Sequence, residues 1–281
     1  MVQVVPLRYD TAFKKAFGHP SIFCQFAQDV LGIEFSTNEV HQGYKYLKPV
    51  SQVDIEYDLF AEDPNSRIVV EIQHIKEQNF YNRFLYYHLI NLIEQVRSSR
   101  AYQFNQTVYT IIVLTSPSRE SEIDFSFAIT DFNPINEFNR KVEVYPHQLV
   151  FLVPRMANEY TPPGIKPWLD IILESLDGQI DENRYSSSIF EQVIDAVKLD
   201  NISPEEFRIL KDEESWEDTL IEEREIGRDE GLAEGHQRGL AEGQQQIEAI
   251  VRSLISEGLS TEFIARTTGF LEAEIEKLRQ T

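Results

Sequence analysis

The sequence predicts an α/β fold in which helices flank a mixed central sheet and a helical extension follows at the C-terminus. Three observations predict it. Apolar patterns typical of helices and of strands alternate through residues 1–160. The run TVYTIIVLTSP at 107–117 is almost continuously apolar, as expected of a strand buried on both faces. After the Pro162-Pro163 pair the patterns are helical. Strands interleaved with helices in this way are typical of a sheet that helices cover.

Two short helices are predicted at the start of the chain. In RYDTAFKKAFGHP, Phe13 and Phe17 stand four residues apart and therefore share one helical face. Asp10 precedes them, at a position where an N-cap side chain is preferred. The stretch SIFCQFAQDVLG predicts a second helix, which begins at Ser21 and ends at Gly32.

Three strands are predicted next. Residues 43–49 predict the first, and VDIEYDLFAEDPNSRIVVEIQ at 53–73 predicts two more around a turn at Pro64-Asn65. If that pair forms the loop, the numbers of opposite residues sum to 129, so that Asp58 faces Glu71. A longer loop or a bulge is the alternative, because Pro-Asn fits a type I turn better than the turns that two-residue hairpins prefer.

The hairpin is predicted to have one apolar and one acidic face, because successive side chains of a strand point to opposite sides. The acidic face carries Glu56 and Asp58 on one strand and Glu71 and Gln73 on the other. The apolar face, interpreted as the core, carries Val53, Ile55, Tyr57, Leu59, Ile68, Val70 and Ile72.

The remaining elements follow from their periodicity. Residues 77–100 predict a long helix with a wide apolar stripe that includes Phe84, Tyr87 and Ile90. After the buried run, DFSFAITDF and QLVFLVP predict two further strands. Additional helices are predicted over 164–176, 187–198 and 204–211.

Two carboxylates directly opposite each other on paired strands destabilise a sheet. Asp58 and Glu71 are therefore expected to share a proton, which raises one pKa, or to bind a cation. With oxygen ligands alone, the favoured ions are Mg²⁺ and Mn²⁺. A solvated acidic strand face is the alternative that the spacing alone leaves open.

The order of several short motifs resembles that of a known family. Asp58, with Glu71-Ile72-Gln73 beginning thirteen residues later, resembles the Asp…(Asp/Glu)-x-Lys signature of PD-(D/E)XK nucleases. YDTAFKKAFG, VVEIQ and NFYNRFLYYH, together with the glycine-spaced tail, resemble more closely the Rpn branch of recombination-promoting nucleases and transposases. The resemblance spans nearly the whole chain. It implies a restriction-endonuclease-like fold and a metal-dependent DNA endonuclease linked to recombination or mobile elements.

The resemblance implies roles for four residues of the hairpin. Asp58 and Glu71 would be ligands of Mg²⁺ or Mn²⁺, with the backbone carbonyl of Ile72 as a further ligand. Gln73 stands where the signature has Lys. An amide can orient a water molecule but brings no charge to stabilise the transition state. A catalytically weak or inactive nuclease fold that binds or regulates is therefore the alternative function.

Three further residues have a functional and a structural interpretation each. Asp10 matches the opening motif of the family and would complete the site, or it is only an N-cap. Arg83, on the helix after the hairpin, would contact a DNA phosphate or hold a carboxylate, or it is a surface cation. Glu56 is a third metal ligand or a solvated side chain.

The C-terminal part divides into segments of different character. A helical extension at 161–211 follows the nuclease-like domain of residues 1–160. Within 212–246, Gly recurs at every fourth residue, which predicts either a helix that pairs with a second copy or an acidic linker.

Residues 247–281 resemble a helix-turn-helix. Ser260 or Thr261 is predicted to cap its first helix, and Thr268-Gly269 to form the turn. The acidity of the second helix favours a packing module over DNA recognition.

Charge and composition restrict the partners. The formal net charge is −21, of which −5 falls on residues 1–160 and −16 on 161–281. This acidity opposes general attraction to DNA or anionic lipid, and it does so least in the N-terminal part. Cys24 is the single cysteine, no apolar run approaches the length of a spanning helix, and no signal peptide is evident. The expected location is the cytoplasm, with DNA as the partner.

Overall fold

The computed structural model describes residues 1–45, 55–74, 80–96, 103–116 and 123–280. The chain forms two compact units, Met1–Ser215 and Trp216–Thr281.

The predicted helices and strands occur in the predicted order, and the structure adds two short strands, at Val2–Gln3 and Gln179–Ile180, that the sequence did not predict. The strands are β1 (Val2–Gln3), β2 (His41–Lys45), β3 (Glu56–Glu62), β4 (Ser66–Gln73), β5 (Thr107–Leu114), β6 (Phe127–Asp131), β7 (Gln148–Leu152) and β8 (Gln179–Ile180). The α-helices are α1 (Asp10–Phe17), α2 (Pro20–Leu31), α3 (Phe80–Ile93), α4 (Lys166–Ser175), α5 (Ser188–Val197), α6 (Pro204–Ser256), α7 (Thr261–Thr268) and α8 (Glu272–Arg279).

A mixed six-stranded sheet is the centre of the first unit, with the strand order β2-β3-β4-β5-β7-β6. β4, β5 and β7 are parallel neighbours, whereas β2, β3 and β6 pair antiparallel. β1 and β8 form a separate two-stranded sheet. The predicted α/β fold with a mixed central sheet flanked by helices is confirmed.

Apolar cores cover both faces of the central sheet. On one face, β3, β4, β5 and β7 pack with α1, α2, α4 and α5. On the other face, the same strands pack with α3 through Phe84, Tyr87 and Ile90. β5 is buried along nearly its whole length, as its apolar sequence predicts.

The hairpin of β3 and β4 does not have the single apolar face that simple alternation predicts. Leu59 packs in the core under α1 and α2, whereas Ile55 and Tyr57 pack on the α3 side. Val53 lies outside the described residues. Because Tyr57 and Leu59 are two positions apart and still lie on opposite faces, the alternation is broken at Asp58, the residue between them.

The predicted register is confirmed where β3 and β4 pair. Leu59 is the partner of Val70, and the pairs that follow keep the same sum. At the turn, Asp63 Oδ1 accepts hydrogen bonds from the N–H groups of Asn65 and Ser66, at 2.8 and 2.7 Å. This side chain closes the loop in the way typical of an Asx turn. The backbone ladder ends at Leu59 and Val70, one residue before Asp58 and Glu71.

The backbone pairing of β3 is also interrupted at Asp58 on its other side, where β3 pairs with β2. β2 pairs with β3 at Gln42 and Tyr44 but not at the intervening Gly43, which is the residue opposite Asp58. Gly43 has a φ of +61°, in the left-handed region that favours glycine. β3 is therefore unpaired at Asp58 on both sides.

Two predicted elements are described only in part. β2 is described over His41–Lys45, so it begins two residues before the strand predicted over 43–49, and residues 46–49 lie outside the described part of the chain. α3 ends at Ile93, where a turn follows, and residues 77–79 and 97–100 of the predicted helix lie outside the described part of the chain.

The glycine repeat lies within α6, a single helix of 53 residues. Apart from the adjacent residues and the backbone of the helix itself, no described atom stands within 4 Å of where a Cβ would project from Gly227, Gly231, Gly235, Gly239 or Gly243.

The second unit contains a small apolar core formed by Val251, Ile264 and Ile275. Ser260 caps α7 and Gly269, with a φ of +78°, ends it, both as predicted. None of the helices in the described ranges is long and apolar enough to cross a membrane.

Candidate functional site

Asp58 and Glu71 face each other at the point where the β3–β4 ladder stops. The N–H of Asp58 donates to Glu71 Oε1 at 3.2 Å. The N–H of Ile72 donates to Asp58 Oδ2 at 2.9 Å. Each carboxylate thus takes a backbone N–H of the opposite strand, so that side chains replace the ladder here. The break in pairing is what brings the two acidic groups together.

Both carboxylates lie in surroundings that disfavour negative charge. Glu71 is only 2% exposed. Burial and then the charge of Asp58 raise the pKa of Glu71 well above its usual range. Burial and then the charge of Asp10 raise the pKa of Asp58 to about 6, against the opposing effects of Lys14 and of the Ile72 N–H. Near neutral pH the pair therefore favours a bound proton or a cation.

Lys14, which the sequence analysis did not assign to the site, lies beside the two carboxylates. Its Nζ is 2.7 Å from Asp10 Oδ2 and 3.5 Å from Asp58 Oδ1. Burial lowers the pKa of Lys14, but the hydrogen bond to Asp10 and the charge of Asp58 outweigh this effect, so the pKa lies above its ordinary value. The ammonium group is therefore charged at neutral pH.

The prediction that Asp10 is an N-cap is wrong. α1 begins at Asp10 itself, and Tyr9 occupies the cap position without a side-chain hydrogen bond. The cap is supplied by Glu213 of α6, whose Oε1 accepts from the N–H and the hydroxyl of Thr11 at 3.2 and 2.6 Å. Asp10 pairs with Lys14, and its Oδ1 is buried without a hydrogen-bond partner. Asp10 is therefore free of the capping role and lies next to the carboxylate pair.

Gln73 and Arg83 contact each other at the end of β4. Arg83 donates from Nη1 to Gln73 Oε1 at 3.2 Å and from Nε to the hydroxyl of Tyr87 at 3.4 Å. Its guanidinium also lies over the Tyr87 ring, 5.3 Å from the centroid. The interpretation of Arg83 as a plain surface cation is wrong, because the side chain is half-buried and held at the site. Arg83 also lowers the pKa of Glu71 and of Asp58 by its charge.

Glu56 does not join the carboxylate pair. It is exposed, and it forms an ion pair with Lys45 at 3.0 Å. The solvated interpretation of this residue is therefore the one that agrees with the structure.

The donor set fits a hard divalent cation. Asp58 Oδ1 and Glu71 Oε2 accept no hydrogen bond from the described backbone, and Asp10 adds an unpartnered oxygen close by. Mg²⁺ commonly uses one or two carboxylates and completes its shell with waters and substrate phosphate. Within the described ranges, no group of three or more Asp, Glu, His or Cys side chains is arranged to hold a metal ion. The chemistry present is thus that of a two-carboxylate site.

Lys14 and Glu213 belong to the site or its support, and neither was predicted from the sequence, for different reasons. Lys14 had a local signal, because it lies four residues after Asp10 and so shares its helical face. Glu213 had none, since it reaches Thr11 across 202 positions of the chain. Only tertiary structure brings α6 to the start of α1.

Comparison with known proteins gives one match. A family model described as PD-(D/E)XK nuclease family transposase matches residues 7–219, which include Asp10, Lys14, the β3–β4 hairpin, Arg83 and Glu213. No curated protein and no solved structure matches the chain.

Proposed function

Because the chain belongs to the PD-(D/E)XK nuclease family transposases, we propose that it is a metal-dependent endonuclease that hydrolyses phosphodiester bonds of DNA at the Asp58–Glu71 pair. The observation that supports this best is the convergence of the two carboxylates across the break in the β3–β4 ladder. Both have raised pKa values, so the site favours an added positive charge. A role in recombination or in mobile elements, and a cytoplasmic location, are parts of the same proposal.

We assign the metal to Asp58 and Glu71, with the backbone carbonyl of Ile72 as a further ligand. A bound Mg²⁺ or Mn²⁺ would lower the pKa of a bound water and offset negative charge on the phosphate. The hydrogen bonds from the Asp58 and Ile72 N–H groups orient the two carboxylates, so the protein holds the ligand atoms in place before any ion arrives. Asp10 is an accessory acidic group beside them.

Gln73 is proposed to orient the attacking water, and Arg83 to fix Gln73. The hydrogen bond from Arg83 Nη1 restrains the Gln73 amide, and the contacts with Tyr87 restrain Arg83 in turn. In the reaction, the water oxygen bonds to phosphorus, and the bond from phosphorus to the leaving sugar oxygen breaks. One proton of the water ends on that leaving oxygen, so atoms balance and no electrons are transferred.

The alternative is a nuclease fold that binds DNA or regulates without cleaving. The neutral side chain of Gln73 favours it, because the position contributes no charge to transition-state stabilisation. The same assay separates the two functions.

The test is cleavage of supercoiled plasmid by the full chain. With Mg²⁺ the plasmid is expected to be nicked and linearised, and excess EDTA is expected to stop the reaction. An Asp58→Ala preparation purified in parallel is the control for contaminating nuclease. Equal cleavage by Asp58→Ala and by the parent, or no cleavage by the parent with either Mg²⁺ or Mn²⁺, would reject the endonuclease.

The chain is further proposed to consist of a nuclease-like domain at 1–160, a helical extension at 161–211, the glycine repeat at 212–246 and a small helical module at 247–281.

The glycine repeat is proposed to pair with a second copy of the chain. Five glycines each lower helix stability by about 0.5–1 kcal/mol relative to Ala. Close approach of a partner helix would offset this loss, and the space above the glycines is open.

Bulky residues in the repeat are expected to prevent such pairing. In a Gly231→Leu/Gly235→Leu variant of the full chain, the mass from multi-angle light scattering should fall from a dimer to a monomer. The control is Leu240→Ala, which alters an exposed side chain of the same segment without adding bulk at a glycine. A parent that is already monomeric at micromolar concentration contradicts the pairing.

A further inference from the structure

Phosphodiester hydrolysis builds negative charge on the phosphate oxygens, and the hairpin residues assigned to the site bring no cationic side chain to meet it. Asp58 and Glu71 are acidic and Gln73 is neutral. Arg83 is a cation, but it is held by Gln73 and Tyr87. A charged side chain that faces the carboxylates directly would stabilise the developing charge most effectively.

Lys14 is a cation in that position. Its Nζ lies between Asp10 Oδ2 and Asp58 Oδ1, on the oxygen of Asp58 that does not accept the Ile72 N–H. The side chain is 17% exposed, so it is accessible to a ligand but largely shielded from solvent. An ion pair in such surroundings is screened less than one on the surface.

The helix that carries Lys14, α1, is anchored in the core. On the opposite side of this helix, Ala12, Phe13, Ala16 and Phe17 are fully buried in the core. Glu213 caps the N-terminus of α1, and Gly18, where a Cβ would collide with the carbonyl oxygen of Lys14, ends it. The helix therefore presents Lys14 to β3 from a fixed direction.

We propose that Lys14 supplies the cationic group that position 73 lacks, and that its ammonium contacts the phosphate under attack. The inference rests on the proposed nuclease function and adds to it a residue outside the hairpin. In the free protein, Asp10 and Asp58 hold the ammonium in place. When DNA is bound, the same ammonium donates to a phosphate oxygen, whose negative charge grows as the water attacks.

The neighbouring Lys15 provides a matched control. It lies on the same helix, and its Nζ forms comparable contacts, at 2.9 Å to Glu206 Oε2 and 2.7 Å to the carbonyl oxygen of Asn201. These contacts direct it away from Asp58. Lys14→Met and Lys15→Met thus remove the same charge from the same helix, but only the first removes it from the site.

The experiment compares the full chain with Lys14→Met, Lys15→Met and the double variant Lys14→Met/Gln73→Lys. Plasmid nicking is measured with Mg²⁺, Mn²⁺ affinity is measured by calorimetry without DNA, and thermal unfolding is recorded for each protein. Lys14→Met is expected to slow nicking about 100-fold relative to Lys15→Met, as for loss of one transition-state donor. Its Mn²⁺ affinity is expected to stay equal or to rise, because a competing positive charge has gone. The double variant is expected to regain at least about tenfold of the lost rate.

Several results would overturn the proposal. One is nicking by Lys14→Met within about threefold of Lys15→Met, since a transition-state donor contributes far more. Another is a joint loss of nicking and of Mn²⁺ affinity in Lys14→Met, which indicates a structural role. A third is a Lys14→Met/Gln73→Lys variant that nicks as slowly as Lys14→Met, since a positive charge at position 73 then does not replace Lys14. An inactive parent protein rejects the endonuclease itself, whereas an active parent with an unaffected Lys14→Met rejects only this role of Lys14.

Discussion

Replacing Asp58 with Asn, or Glu71 with Gln, is expected to abolish metal-dependent cleavage and at the same time to stabilise the folded protein at pH 8. Asn and Gln keep the shape of the parent side chains and retain an oxygen for the Ile72 and Asp58 N–H groups. They lose the negative charge that would bind a divalent cation. The rate of plasmid nicking is expected to fall by at least about 10³-fold, as for loss of a group on which the chemistry depends.

The gain in stability follows from the raised pKa values. The pKa of Asp58 is about 6 in the folded chain and 3.8 is its ordinary value, so the folded protein binds a proton more tightly than the unfolded one. This group therefore lowers the free energy of unfolding above pH 6, and its unfavourable effect disappears as the pH falls to about 4. Asp58→Asn removes the effect, which amounts to about 1–3 kcal/mol at pH 8. Glu71→Gln acts in the same direction.

Urea unfolding at pH 8 and pH 4 measures this difference. Glu56→Gln is the control, because Glu56 is exposed and pairs with Lys45 away from the site. A variant that is less stable than the parent at pH 8 would contradict the electrostatic account of the pair. A variant that still nicks DNA at the parental rate would contradict the assignment of the ligands.

Acidification is expected to destabilise the protein through His88. This residue of α3 is fully buried, with its ring stacked 5.1 Å from that of Phe132 and Nδ1 2.9 Å from the Thr110 hydroxyl. Burial, with a smaller effect from His147, lowers the pKa of His88 to about 4. Below pH 6.5 the His88 side chain takes up a proton in the unfolded chain but stays neutral in the folded chain. The free energy of unfolding therefore falls by about 3 kcal/mol between pH 6.5 and pH 4 from this group.

His88→Phe isolates the effect. The variant keeps a buried ring but does not titrate, and it is expected to lose about 1 kcal/mol at pH 7 because the Thr110 hydroxyl loses its partner. Asp58 and Glu71 change the free energy of unfolding in the opposite direction over the same pH range, so the quantity to compare is the difference in this free energy between variant and parent at each pH. Near pH 4 the variant should be the more stable of the two. His19→Asn, an exposed histidine, is the control, and a pH-independent difference for His88→Phe would refute the assignment.

The parts of the fold that depend on local pattern were predictable from the sequence. The Pro64-Asn65 turn predicted the register of β3 on β4, because a two-residue loop fixes which residues stand opposite each other. The apolar run of β5 predicted a strand covered on both sides. Ser260 and Gly269 marked the ends of α7, because caps act within a single turn of helix.

The parts of the site that depend on tertiary contacts were not predictable. Asp10 had the residue type and position of an N-cap, but Glu213 of α6 took that role through a contact that no local pattern encodes. The break at Asp58 had one signal, the isolated Gly43 in the strand pattern, since such a glycine often marks a bulge. Alternation alone assigned Tyr57 and Leu59 to one face because it assumes an unbroken strand.

Main-chain N–H groups hold the two carboxylates, and this limits how far substitutions elsewhere can alter their orientation. No substitution elsewhere can delete those donors, because every residue except proline carries one. Directed evolution of the surrounding side chains should therefore leave the orientation of Asp58 and Glu71 intact. Proline at position 58 or 72 would be the exception, and circular permutation through the hairpin turn should be tolerated only if the strands stay aligned.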